Sequence, residues 1–114
     1  MAETFTKSKL ASIRPTNNSE VQLYAVPAAS EIDAVIRICN QDTVDRTYRI
    51  AHTNAGHGDV AANGADWVYY DKVISANETY ELSVEAAATE TIRVQASVAD
   101  KVSFILEGVK KVTS

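Results

Sequence analysis

The sequence predicts an all-β protein: an antiparallel β-sandwich of about eight strands, immunoglobulin-like or jelly-roll-like, with an extended N-terminal arm. The first observation is that residues 79–85, 91–98 and 102–107 alternate apolar and polar side chains. Because successive side chains on a strand point to opposite faces, this period of two indicates one buried and one solvated face. The second observation is that turn residues recur roughly every 8–12 positions, which is typical of a sandwich and also of a small barrel. The third is that no segment keeps a helical period.

Earlier segments complete the predicted sheet. Strand composition recurs at 21–25, 31–39, 46–52 and 67–70. The segment 31–39 is the strongest of these, because it alternates Ile and Ala with polar residues. Polar turns separate the segments, and 40–45 has the composition of a hairpin loop.

The first 18 residues differ from the rest, because Thr, Ser, Lys and Asn dominate them. We interpret 1–8 as an extended arm and 9–14 as a possible edge strand, with a frayed terminus as the alternative. The predicted organisation is therefore an arm and possible edge strand over 1–18, a sandwich domain over 19–110 and a C-terminal tail over 111–114.

Composition limits the function. The chain has 114 residues, with 11 basic and 15 acidic side chains and a net charge of −4. This balance argues against nucleic acid as a partner, because such domains usually present a basic surface. No apolar run reaches the roughly 20 residues that span a bilayer, and the N-terminus lacks a signal peptide's apolar region. We therefore expect synthesis in a cytoplasm and no membrane partner.

Candidate chemistry is sparse. His52, His57 and Asp59 have metal-ligand side chains, but their spacing matches no zinc signature. Cys39 is the single cysteine, and we expect it to be a small buried apolar residue. We expect Glu81 and Glu85 to be solvated charges on the polar face of one strand. The sequence thus predicts no enzyme, no catalytic residue, no cofactor and no metal.

The glycine-rich segment 53–66 and the aromatic residues after it are candidates for binding. Three of the four glycines lie in 53–66, so we expect a long, flexible loop of the kind that often has a function. Trp67 and Tyr70 flank this loop and could contact a sugar or a protein. We favour the core for Trp67 and the surface for Tyr70. The candidate partner-binding residues are Phe5, Lys7, Lys9, Arg14, His57, Trp67 and Tyr70.

Several short phrases resemble a known family. They are Leu23-Tyr24-Ala25-Val26-Pro27-Ala28, Val35-Ile36-Arg37-Ile38-Cys39-Asn40, Arg46-Thr47-Tyr48-Arg49-Ile50-Ala51, Trp67-Val68-Tyr69-Tyr70-Asp71, Ile74-Ser75-Ala76-Asn77-Glu78-Thr79 and Ile92-Arg93-Val94-Gln95-Ala96-Ser97. Their order over 20–107 resembles small β-sandwich structural proteins of tailed bacteriophages.

The resemblance implies a virion structural protein, either a capsid decoration (cement) protein or a module associated with a tail or fibre. It implies no enzymatic activity and no cofactor, and residues 1–18 lie outside it. The implied partner is a major capsid protein or another virion protein. A homo-oligomer, such as a trimer about a three-fold axis, would suit a symmetric shell. The alternative is a glycan- or receptor-binding module of a phage tail or head fibre.

Overall fold

Eight strands and one short 3₁₀ helix make up the structure of this chain, a computed structural model that describes residues 2–113. The elements are β1 (Glu3–Ile13), β2 (Val21–Ala25), β3 (Ser30–Asn40), β4 (Arg46–His52), the 3₁₀ helix (Gly64–Asp66), β5 (Trp67–Ile74), β6 (Thr79–Ala86), β7 (Thr91–Ala96) and β8 (Val102–Thr113). The prediction of an all-β protein with about eight strands is confirmed.

The strands form two four-stranded sheets. Sheet A has the order β1-β8-β3-β6, sheet B has the order β2-β7-β4-β5, and all neighbouring strands are antiparallel. The pairs β1–β8, β2–β7, β3–β6 and β4–β5 are nested: along the sequence, each pair encloses the next, and β4–β5 is the innermost. This order defines a jelly roll, one of the two sandwich forms that the sequence predicts.

The core lies between the two sheets. It is formed by the alternating apolar residues that the sequence indicates, and its most buried members are Ile36, Ile38, Ile50, Ile74, Ile92, Val94, Val102, Phe104 and Leu106. The Tyr48 ring from sheet B meets Phe104 from sheet A edge to face, with centroids 6.3 Å apart. Aromatic contacts of this kind join the two layers.

Both ends of the chain are more regular than expected. A single strand, β1, runs through most of the predicted arm over 1–8 and the possible edge strand over 9–14, because residues 3–9 pair with 107–113 of β8 and residues 11–13 pair with 104–106. The same pairing places Lys111 to Thr113 within β8, whereas the sequence predicts a tail over 111–114. Met1 and Ser114 lie outside the described residues. The division of the chain into arm, domain and tail stays a prediction.

The buried Tyr48 predicts a loss of stability at high pH. Burial, with smaller contributions from Tyr69 and Tyr80, raises the pKa of Tyr48 from 10.0 to about 12. Between these values the unfolded chain releases the phenolic proton while the folded chain keeps it, so the free energy of unfolding falls as pH rises. Urea unfolding from neutral pH to about pH 12 measures this slope. Tyr48→Phe should flatten it, and equal slopes in both proteins would contradict the prediction.

Candidate functional site

An aromatic cluster lies on the outer face of sheet B. It consists of Arg49, Trp67, Tyr70 and Asp71. The Arg49 guanidinium stacks 3.8 Å from the centroid of the Tyr70 ring and lies 5.9 Å from that of Trp67. The two aromatic rings meet edge to face, with centroids 5.6 Å apart. Arg49 also donates two hydrogen bonds to Asp71, of 2.7 and 3.1 Å. These bonds lower the pKa of the Asp71 carboxyl, so it remains charged and orients the guanidinium.

Irregular pairing of β5 with β4 explains why the aromatic side chains of β5 point to different faces of sheet B. The register of β4 against β5 shifts on both sides of Ile50, and Asp71 has a φ of 53°. Tyr69 therefore packs against the core, whereas Trp67 lies over Ala51 on the outside and is only half-buried. The expectation that Trp67 fills the core is wrong, because a bulge changes which face a side chain takes. Tyr70 is 59% exposed, as expected for a surface residue.

A cavity of about 140 Å³ adjoins the aromatic cluster. Its lining residues are Asn18, Thr47, Tyr48, Arg49, Asp71, Gln95, Ala96 and Ser97. Hydroxyl, amide and charged groups thus stand beside an exposed aromatic ring, which is a combination suited to polar ligands such as sugars.

The glycine-rich loop 53–66 is fastened to sheet B. Arg93 of β7 is only 5% exposed, and it forms an ion pair with Glu20 and a 2.7 Å hydrogen bond to Asp59 of the loop. Burial acts to lower the pKa of this guanidinium, but the hydrogen bonds and charges of Asp59 and Glu20 outweigh it and raise the pKa. Glu20 also accepts a 2.9 Å hydrogen bond from the Ala62 N–H. The loop is therefore held in place, in contrast to the flexible loop that its composition predicts.

The His57 side chain forms hydrogen bonds within this loop. Its Nε2 donates to the carbonyl oxygens of Val60 and Ala61, at 3.1 and 2.9 Å. His52 instead contacts Glu90 at 2.8 Å, at the end of β4. Among residues 2–113, no group of three or more His, Cys, Asp or Glu side chains is placed to hold a metal ion.

A second exposed surface lies on β1. Residues 3–9, here called the β1 extension, are all exposed, and Phe5 is 65% exposed. Because odd-numbered residues of β1 share a face with the outward residues of β8 and β3, Phe5, Lys7 and Lys9 point away from the core. Arg14 lies beyond the other end of β1, where it donates a 2.9 Å hydrogen bond to Gln41.

A groove of about 760 Å³ runs beside the β1 extension. Phe5 and Lys111 line one side of the groove, and Glu85 of the opposite edge strand contributes to the other. Glu90 also lines it, and burial acts to raise the pKa of that carboxyl. Hydrogen bonds from the Ala87 N–H and from His52 outweigh this effect and hold the pKa below its usual value.

The structure thus separates the predicted partner-binding residues into two groups and leaves Arg14 apart from both, beside Gln41. Trp67 and Tyr70 belong to the aromatic cluster, with His57 in the loop fastened to the same sheet. Phe5, Lys7 and Lys9 lie on β1. Sequence reasoning missed Arg49 and Arg93, since alternation places both on a polar face but does not reveal the acid that each one meets.

Cys39 does not match the expectation of a buried residue, because it is half-buried on the outer side of β3. The part of the chain that the structure describes contains no helix able to cross a membrane.

Comparisons with known proteins support the fold. No family model and no curated protein sequence matches this chain. Among solved structures, a protein of Bacillus endospore appendages, described as disulfide-linked pili, is 12% identical with a TM-score of 0.60, over 100% of this chain and 93% of that one. The Tobacco streak virus coat protein is 7% identical with a TM-score of 0.52, over 97% of this chain and 85% of its own.

A protein of the infectious bursal disease virus particle is 9% identical with a TM-score of 0.54. The match covers 96% of this chain but only 30% of the viral protein. At these identities the likeness concerns the fold alone. The chain is thus an all-β jelly-roll protein with two exposed surfaces on its two sheets.

Proposed function

We propose that this protein is a structural component of a virion, and specifically a capsid decoration protein that binds the outer surface of the shell and bridges neighbouring capsomers. Its role is to bind and not to catalyse. Decoration stabilises a shell because the bound protein favours the assembled state by mass action.

The observation that carries the proposal is the β1 extension. Ordering a residue costs about 1–2 kcal/mol of backbone entropy, which burial normally offsets. All of residues 3–9 are exposed, and the contacts of β1 with the core begin only at Leu10. The β1 extension therefore adds little to the core of the single chain. An outside contact is the simplest physical role for such a strand.

Side chains on the β1 extension suit that role. Phe5 supplies an exposed apolar ring, and Lys7 and Lys9 supply charge on the same face. Among the described residues, neither lysine has a carboxylate within 4.0 Å. These residues can complement an acidic, partly apolar shell surface.

The structural likeness supports a role in an assembly. The appendage protein and the Tobacco streak virus coat protein each match over most of both chains, and their names describe pili and a viral coat. A filament whose subunits are linked successively by disulfides needs two cysteines in each subunit, whereas this sequence has one. The cysteine count therefore favours the virion over a disulfide-linked pilus.

Localisation in intact particles tests the proposal. Gold-labelled antibodies against the purified protein would be applied to virions from the source of the gene and imaged by electron microscopy. We expect label over the shell, at many positions on each particle. Particles without label, with the antibody still detecting the purified protein, would overturn a virion role.

The aromatic cluster supports a second candidate, a glycan- or receptor-binding module of a fibre. An exposed Tyr70 beside a polar cavity can stack on a sugar ring. Trp67 is the single tryptophan, so its fluorescence reports this surface directly. Label on fibres, together with a saturable fluorescence change with host polysaccharide that Tyr70→Ala abolishes, would favour this candidate over decoration.

A further inference from the structure

We propose that copies of this chain join edge to edge, with β1 of one copy pairing with β6 of the next to continue sheet A as one antiparallel sheet. The inference rests on the proposed function, because it describes how decoration copies contact one another. It concerns the edge of β1, namely its outward-pointing backbone groups and the charges of Lys7 and Lys9, and it leaves the exposed Phe5 ring for the shell.

The hydrogen-bond pattern shows which backbone groups are available on β1. The Thr113 N–H donates to the Ala29 carbonyl at 2.8 Å, so odd-numbered residues of β8 bond to β3. Backbone groups alternate sides along an antiparallel strand, so even-numbered residues of β8 bond to β1. Their partners on β1 are Thr4, Thr6 and Ser8. The backbone N–H and C=O groups of Glu3, Phe5, Lys7 and Lys9 therefore point to the open edge.

The same reasoning applies to β6 at the other edge of sheet A. The Asn40 N–H donates to the Glu78 carbonyl at 2.9 Å, in register with the β3–β6 ladder, so even-numbered residues of β6 bond to β3. The backbone groups that point to the open edge are those of Thr79, Glu81, Ser83 and Glu85.

The two edges carry opposite charge. Glu3 of β1 is already paired with Lys111, at 3.2 Å, which leaves Lys7 and Lys9 as the unpaired charges on the β1 extension. On β6, Glu81 lies 4.0 Å from Arg37, and Glu85 has no cation within 4.0 Å in the described part of the chain. One edge thus presents two lysines and the other two glutamates.

The directions of β1 and β6 also allow antiparallel pairing between two copies. Within sheet A, β1 and β6 run in opposite directions, because each neighbouring pair in β1-β8-β3-β6 is antiparallel. A second copy placed beside the first in the same orientation therefore pairs its β1 antiparallel to β6. In one register Lys9 lies directly across from Glu81, and Lys7 lies across from Ser83 with a glutamate diagonally on either side. In the register shifted by two residues, Lys7 lies directly across from Glu85, and Lys9 lies across from Ser83 with a glutamate diagonally on either side. Cross-strand pairs of opposite charge stabilise a sheet.

The edges of sheet B are protected against such pairing. The β5 edge is bulged, with shifts in register around Ile50 and a positive φ at Asp71. The β2 edge is only five residues long, is irregular between Gln22 and Tyr24, and is soon followed by Pro27. Bulges and short strands are the usual ways to block edge-to-edge association. In contrast, β6 and the β1 extension pair without a shift in register.

Pairing two different edges makes the interface heterologous. The product is a ring if the rotation between copies closes, and an open row if it does not. Pairing of β6 with β6 would oppose glutamate with glutamate, which is destabilising.

Charge reversal tests the inference by sedimentation velocity of the purified chain at low salt, without any shell. Wild type should self-associate with increasing concentration. Lys7→Glu/Lys9→Glu makes both edges acidic, and Glu81→Lys/Glu85→Lys makes both basic, so each variant alone should remain monomeric. An equimolar mixture should associate again, because each reversed edge then meets its complement. A monomeric wild type, association of either variant alone, or no association of the mixture would each overturn the inference.

A backbone test removes charge from the comparison. Ser83→Pro deletes an N–H that points to the open edge and leaves the β3–β6 ladder intact, so it should abolish association. Ser83→Ala is the matched control and should associate as wild type does. Circular dichroism verifies that both variants are folded, and equal association of the two would overturn the inference. The shell-labelling result is independent of this assay, so the failure of one proposal is distinguishable from the failure of the other.

Discussion

Replacing Gly108 by alanine should destabilise the protein by about 3 kcal/mol or more, the upper end of the range for overpacking. Gly108 lies in β8 with a φ of 157°, and this conformation aims an added Cβ at the neighbouring strand. That Cβ would lie only 2.4 Å from the Asp33 carbonyl oxygen and 2.6 Å from the Ala34 Cα. Because both atoms are backbone, relief requires β8 and β3 to separate. Urea unfolding should show a lower midpoint with an unchanged slope.

Gly64→Ala is the matched control for this prediction. Gly64 begins the 3₁₀ helix, and a Cβ there would meet no atom within 4 Å. The free energy of unfolding should change by no more than about 0.5 kcal/mol, as for most surface substitutions. Similar midpoints for the two variants would show that the β8–β3 contact is not as tight as the structure indicates.

Replacing Arg93 by methionine should release the glycine-rich loop and cost about 2–4 kcal/mol. Removing one member of a buried ion pair leaves the other charge uncompensated, which usually costs 3–5 kcal/mol. The cost here should be somewhat lower, because the Glu20 side chain is 15% exposed and water can partly solvate its charge. Hydrogen exchange at the Ala62 amide should accelerate, together with exchange in the rest of the loop 53–66.

Arg37→Met is the control for the role of burial. Arg37 forms ion pairs with Glu107 and Glu81 on the outer face of sheet A, where its side chain is 43% exposed. Exposed pairs contribute little, so the loss should be at most about 1 kcal/mol and loop exchange should stay unchanged. Equal losses for the two arginines, or unchanged loop protection in Arg93→Met, would show that Arg93 does not fasten the loop.

The alternating pattern was sufficient to predict individual strands but not their extent. It predicted β3, β6 and β7 because apolar residues recur at every second position of each strand, and these residues lie in the core or pack against it. It stopped at residue 107 of β8, although the strand continues to Thr113. Beyond Gly108 both faces are only partly covered, so pairing with β1 and β3 maintains the strand without an apolar pattern.

The candidate site was predictable only in part. Aromatic composition indicated Tyr70 and Trp67, but the bulge in β5 decided which face Trp67 takes. The acid partners of Arg49 and Arg93 lie 22 or more residues away, so no local pattern relates them.

The order of residues along the chain is enough to specify strands with one buried face, because the period of the apolar residues is a local property. Three features become visible only in the folded molecule: the nested strand order, the attachment of the loop 53–66 and the opposite charges of the two edges of sheet A. These features depend on which distant segments lie side by side. That choice is made by the packing of the whole core and not by any one segment.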